Sequence, residues 1–245
     1  MRTGAAGEIE SLPALLDVLA HQQGSSTPVD DAAAAIETMV LHPDYPCLGA
    51  RSVFNRERAR VVVLDDLGTE RSARALIPAL AEFAAQTDLG DGFASLVSVF
   101  RCTRVPDETS FEELLWRQLE LIHDHDELPW NPQVSDDPDN PHFAFSVAGT
   151  AYFVVGLHPR ASRIARRTPL PTLVFNLHEQ FERLRGSARF ERMRDTIRRR
   201  DEALQGTVNP MVDDYGCSSE ARQYSGRLVS RDWHPPAHFD HEERQ

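Results

Sequence analysis

Hydrophobic residues recur at helical spacing near the start of the chain, where Ile9, Leu12, Leu15, Leu16 and Leu19 predict an amphipathic helix over residues 8–22. The run Gly24-Ser25-Ser26-Thr27-Pro28 breaks it. A second helix begins near Pro28, carries Asp30 and Asp31 in its first turn and ends before His42-Pro43. Residues 61–64 read as a strand, 72–85 as a helix with Ala75, Leu76, Leu80 and Phe83 inward, and 93–100 as another strand. Ser110 and Glu113 have capping-box spacing and open a helix through Phe111, Leu114, Leu115, Trp116, Leu119 and Ile122. His123-Asp124-His125-Asp126 closes that helix, and a polar loop follows over residues 127–141.

Two runs rich in β-branched and aromatic residues, 143–147 and 151–157, flank Ala148-Gly149-Thr150 and predict a hairpin. The second run is apolar almost throughout, as expected of a strand covered on both faces. It stops at His158-Pro159, and a third apolar run, 172–175, delivers Asn176 and His178 to the mouth of a helix. Residues 179–204 are helical with a break at Gly186-Ser187. From Gly206 the chain is irregular, and its aromatic and glycine content predicts that it wraps the domain, with 238–245 frayed. The pattern is that of an α+β protein, a mostly antiparallel sheet packed with helices. Because no linker divides the 245 residues, they are expected to form one domain, with 1–27 as a peripheral N-terminal helix and 206–245 as a wrapping tail.

The formal charge of −12 argues against a nucleic-acid partner. Lysine is absent, so Schiff-base chemistry through a lysine is excluded. Cys47, Cys102 and Cys217 are too few and too scattered for a disulfide framework. No run has the length of a membrane span and the N-terminal residues lack the regions of a signal peptide, so a cytoplasmic protein without a membrane partner is expected.

Two stretches carry candidate chemistry. Tyr45-Pro46-Cys47-Leu48-Gly49-Ala50 is a turn running into a helix, where backbone N–H groups would lower the thiol pKa and favour thiolate. The alternative is a small buried residue packing the turn. His158 and His178 each sit at a strand end, with Ser162, Arg163, Arg166 and Arg167 between them. His123 and His125 invite a metal reading, but neighbours on a helix diverge, which favours a solvated helix end. The mixed charges of residues 191–202 read as a solvated face.

Cys47-Leu48-Gly49-Ala50, His158-Pro159 with its arginines, Leu173 to Glu182, Asn209-Pro210-Met211, Ser219-Glu220-Ala221 and Gln223 to Arg227 together resemble the YqcI/YcgG family, over most of the chain from Pro46 to Trp233. That resemblance implies a haem b protein that uses dioxygen to N-hydroxylate the guanidine of arginine or a related compound, a monooxygenase of natural-product biosynthesis. Cys47 leads His158 and then His178 as the expected axial ligand, and the cysteine loop also resembles that of haem-thiolate oxygenases. Arg163, Arg166 and Arg167 are the candidates for the haem propionates. Glu179, Glu182 and Glu220 are offered to the substrate guanidinium, with Asn176, Gln180 and Tyr224 as polar lining. No flavin or nicotinamide fingerprint is visible, so an external electron donor is expected, and a homodimer is left open. The alternatives are a haem-binding or haem-sensing module without catalysis, and a non-haem metalloenzyme using the histidines with carboxylates.

Overall fold

The computed structural model describes residues 11–24, 27–184, 188–207, 209–211 and 218–239. The break at Gly186-Ser187, the Tyr215-Gly216-Cys217 block and residues 240–245 lie outside the described residues. Helices α1 (Leu12–Gln22), α2 (Val29–Leu41) and α3 (Leu48–Asn55) lead to strand β1 (Ala59–Leu64). Helix α4 (Glu70–Gln86) then crosses to β2 (Ser95–Phe100), which pairs with β1 in parallel, so one βαβ unit opens the sheet. After α5 (Glu108–His125) come β3 (Phe145–Val147), β4 (Thr150–Leu157) and β5 (Thr172–Leu177). The strand order is β1-β2-β5-β4-β3, and every pairing beyond β1–β2 is antiparallel. Helices α6 (His178–Leu184), α7 (Ala188–Gln205) and α8 (Ala221–Tyr224) complete an α+β domain.

The hairpin expected around Ala148-Gly149 is a two-residue turn with φ of 52° and 69°, the left-handed pair that matches strand twist. The cap expected at Ser110 lies one turn earlier. Asp107 is the N-cap of α5, its carboxylate accepting from the Ser110 N–H at 2.8 Å, so Ser110 is itself inside the helix.

Side chains alternate across a strand, and here the two faces meet different partners. Leu96, Phe100, Tyr152, Val154, Leu173, Phe175 and Leu177 pack with Leu76 and Leu80 of α4 and Phe111, Leu115, Trp116 and Leu119 of α5. Val97, Val99 and the half-buried Val61, Val63 and Val174 face α1, α2 and α3. The tail closes the first core: Tyr224 is fully buried, and Phe239, expected to fray, is buried against Trp130 and Phe143. The Tyr224 hydroxyl accepts from the Phe145 N–H at 3.2 Å and donates to the Tyr152 carbonyl at 3.3 Å, so its buried polar atom is satisfied by backbone.

Gly156 lets these layers meet. A Cβ there would lie 2.7 Å from Leu115 Cδ1, Phe111 Cε1 and the Tyr224 carbonyl oxygen. Two residues on, His158 has no exposed surface, stacks on Phe111 at 4.3 Å and has no hydrogen-bond partner on either ring nitrogen. Burial pushes its pKa down to about 4, against the nearby carboxylates of Glu108 and Asp107, which raise it, and with the Arg166 charge adding to the fall.

Gly156→Ala is expected to destabilise the fold by about 1–3 kcal/mol through overpacking against atoms that include backbone, measured by urea unfolding. His158 makes stability pH-dependent: the unfolded ring titrates near 6.5 and the folded one near 4, so the contribution is complete above 6.5 and declines as pH falls towards 4. Wild type should lose about 3 kcal/mol across that window from this group, and His158→Phe should flatten that part of the stability–pH curve; an unchanged curve would refute the assignment.

Candidate functional site

On β4 and β5 the face opposite the α4–α5 core presents Phe153, Val155, Leu157, Val174 and Asn176. Phe153, Val155, Val174 and Asn176 are only half-buried because they look into a cavity of about 400 Å³ rather than into packed atoms. Its other walls are the α3 loop (Tyr45, Pro46, Cys47, Gly49, Ala50 and Val53), α7 (Met193, Arg194, Ile197, Arg198 and Asp201) and Phe93, Phe181, Arg163 and Arg166. The surface inside is mainly apolar.

Cys47 enters this space as the N-cap of α3. Its extended backbone turns the chain into the helix, and Sγ accepts from the Ala50 N–H at 3.4 Å. The helix start therefore lies where the sequence predicts it, but its effect on the thiol is reversed. Burial pushes the Cys47 pKa up, and the N–H groups of Ala50 and Gly49 with the Arg166 charge offset only part of that rise. Without a metal the sulfur is a thiol; coordination would deprotonate it outright.

The arginines of the Ser162 to Arg167 segment have separate fates. Arg163 ion-pairs with Asp201 of α7 and donates to the Thr207 carbonyl at 2.9 Å, so its charge is matched. Arg166 donates to the carbonyls of Gly156 and Gln223, both at 3.1 Å, and among the described residues makes no ion pair with a carboxylate. Burial lowers its pKa, with Tyr45, Cys47 and Asp201 acting the other way. Arg167 bonds the Ala161 carbonyl at 2.7 Å and is not part of the cavity wall.

Cys47, Arg163, Arg166 and Asn176 thus share one cavity, whereas the remaining candidates lie elsewhere. The His158 ring follows the cavity-facing Leu157 and so points to the other side of the sheet, onto α5. His178 is buried at the end of β5 beside a second, more polar hollow shared with Glu179 and Glu182. Its Nε2 lies 3.8 Å from Glu182 and 3.9 Å from Glu220. Glu179 is exposed and holds Arg183 at 2.6 Å. Gln180 accepts from the Ala94 N–H at 2.9 Å, tying α6 to the sheet, and Tyr224 is a core residue. Among the described residues, no three His, Cys, Asp or Glu side chains gather as a metal site, and His123 instead packs its ring on Trp130 and Phe239.

Asp201 was missed because it stands in the charge-rich run of residues 191–202. Met193, Ile197 and Asp201 recur every four residues, and that stripe is the signal that one face of α7 turns inward.

Comparison with known proteins agrees with the earlier resemblance. The chain is 31% identical to "Uncharacterized protein YcgG" of Bacillus subtilis (strain 168) over 179 residues, covering 70% of this chain and 71% of the relative. It is 28% identical to "Uncharacterized protein YqcI" of the same organism over 182 residues, 70% of each chain. No solved structure matches it. No described helix is long and apolar enough to cross a membrane. The YqcI/YcgG family model matches residues 36–238, a span that takes in the Cys47 loop, the whole sheet and α7, and the chain belongs to that family.

Proposed function

We propose that the protein is a haem-dependent oxygenase that N-hydroxylates a guanidino compound, with the cavity between β4–β5, α3 and α7 as its site. One observation carries this reading: a cysteine sulfur and a guanidinium that, among the described residues, has no carboxylate partner face the same apolar-walled space. A haem needs an axial donor, an apolar slot and cations for its propionates, and the residues present fit that requirement. Cys47 would hold the iron through its sulfur. Arg166 would hold a propionate, because its hydrogen bonds go to carbonyls and not, among the described residues, to a carboxylate, whereas Arg163 already serves Asp201.

Bound there, haem would supply dioxygen binding and activation, with thiolate ligation favouring O–O cleavage. The overall change converts a guanidine N–H to N–OH, takes one oxygen atom from O2, and consumes two electrons and two protons with release of water. The electrons must come from an external donor. The chain's own part is to bind, orient and exclude water. The Ala50 N–H fixes the sulfur at the cavity wall. Phe93, Phe153, Phe181, Met193 and Ile197 keep the space dry and strengthen every charge interaction within it. Asn176 is held by the Ser95 hydroxyl, which donates to its Oδ1 at 2.7 Å, and its amide donates to the Phe153 carbonyl at 3.4 Å, so it is a fixed polar group on a mostly apolar floor.

Titration with hemin is expected to give a stoichiometric Soret band and a thiolate-type ferrous–CO spectrum. Cys47→Ala should lose that spectrum while keeping the wild-type circular dichroism; an unchanged spectrum would remove Cys47 as ligand. Hemin-loaded protein given L-arginine or a related guanidino compound, oxygen and a chemical reductant should form an N-hydroxyguanidine detectable by mass spectrometry. Haem binding without turnover of any guanidino compound would discard the reaction and leave the cofactor.

A further inference from the structure

We propose that Asp201 is the cavity's receptor for an organic cation and takes the guanidinium end of the substrate; this rests on the reading above. Among the described residues, Asp201 is the carboxylate in the cavity wall, 8% exposed, on the inward stripe of α7 with Met193 and Ile197. Its Oδ2 accepts from Arg163, while its Oδ1 is buried and has no hydrogen-bond partner among the described residues. Carboxylates ion-paired for structure alone commonly take arginine as a two-pronged fork. Here the pair is single-pronged: the same Arg163 Nη2 is shared with the Thr207 carbonyl, and Arg163 Nε is buried without a partner.

A carboxylate offers about four acceptor positions, so Oδ1 can take an incoming N–H without displacing Arg163. An acceptor buried in this way is costly until a donor fills it, and a charged donor fills it best. Ile197 and Met193, one and two turns away on the same stripe, supply an apolar track for the methylene chain of such a ligand. The acids first offered for this role are not in the cavity wall, Glu179 being engaged by Arg183 and Glu220 lying near His178. A site with a preset acceptor also discriminates by chemistry: a neutral ureido group matches a guanidinium in shape but brings no positive charge to Asp201.

The test is calorimetric titration of the full-length protein, with and without bound hemin, using L-arginine, agmatine and guanidinoacetate as probes and L-citrulline as the neutral control for arginine. At least one guanidino probe should bind, with citrulline at least about tenfold weaker than arginine if arginine is the ligand. Asp201→Asn should weaken the bound probe by on the order of 10- to 100-fold and remove the preference for positive charge, with hemin uptake unchanged. Asp201→Glu should keep that preference. Because Asp201→Asn leaves Arg163 without a counter-ion, the double variant R163Q/D201N removes the pair together and should also show no preference. Wild-type affinity and preference in Asp201→Asn or in the double variant would overturn the assignment, as would failure of all three probes to bind wild type. Guanidino binding through Asp201 in protein that refuses hemin would sustain the receptor and sink the oxygenase.

Discussion

Two neighbouring strands, β4 and β5, must each send alternate side chains to opposite sides of the sheet, and the rest of the molecule answers to that division. On one side Tyr152, Val154, Leu173 and Phe175 are fully buried, and Gly156 gives α5 and the tail backbone the room to come close. On the other, Phe153, Val155, Val174 and Asn176 keep accessible surface because α3 and α7 stand off from the sheet and leave a cavity between. A tightly packed layer fixes the floor, and a looser one opposite supplies the space. The rigid side is what allows the other side to remain hollow, since packing lost in the cavity must be offset elsewhere.

Charge inside the cavity runs against the charge of the chain. The protein carries −12 overall, yet among the described residues the lining holds Arg163, Arg166, Arg194 and Arg198 against Asp201. The same setting explains the thiol: desolvation outweighs the N–H groups at the start of α3, so the sulfur stays protonated until something positive replaces its proton.

Much of this was legible in the residues, because it depends on local periodicity. The apolar runs 151–157 and 172–175, the Gly149 turn and the turn-to-helix passage at Cys47 are short-range patterns, and their elements stand where they were read. What stayed hidden depends on which face meets what. His158 is one residue beyond the cavity-facing Leu157, and that single step sends its ring to the far side, as any shift of one residue in a strand does. Asp201 was concealed by its neighbours, since charge on a helix reads as solvent-facing unless the opposing surface is known. Asp107 rather than Ser110 caps α5 because both satisfy the same local rule one turn apart, and only the observed bond from the Ser110 N–H decides between them.

Arg200 gives the cavity an unusual mechanical property. From α7 its guanidinium reaches the carbonyl oxygens of Pro43 and Tyr45, the latter at 3.1 Å, so it grips the backbone just ahead of Cys47. The helix that carries Asp201 and the loop that carries the sulfur are thereby fastened to each other as well as to the sheet. With the Arg163–Asp201 pair and the bond from the Ile164 N–H to Gln205 at its far end, α7 is clamped to the chain at two separate places along the cavity.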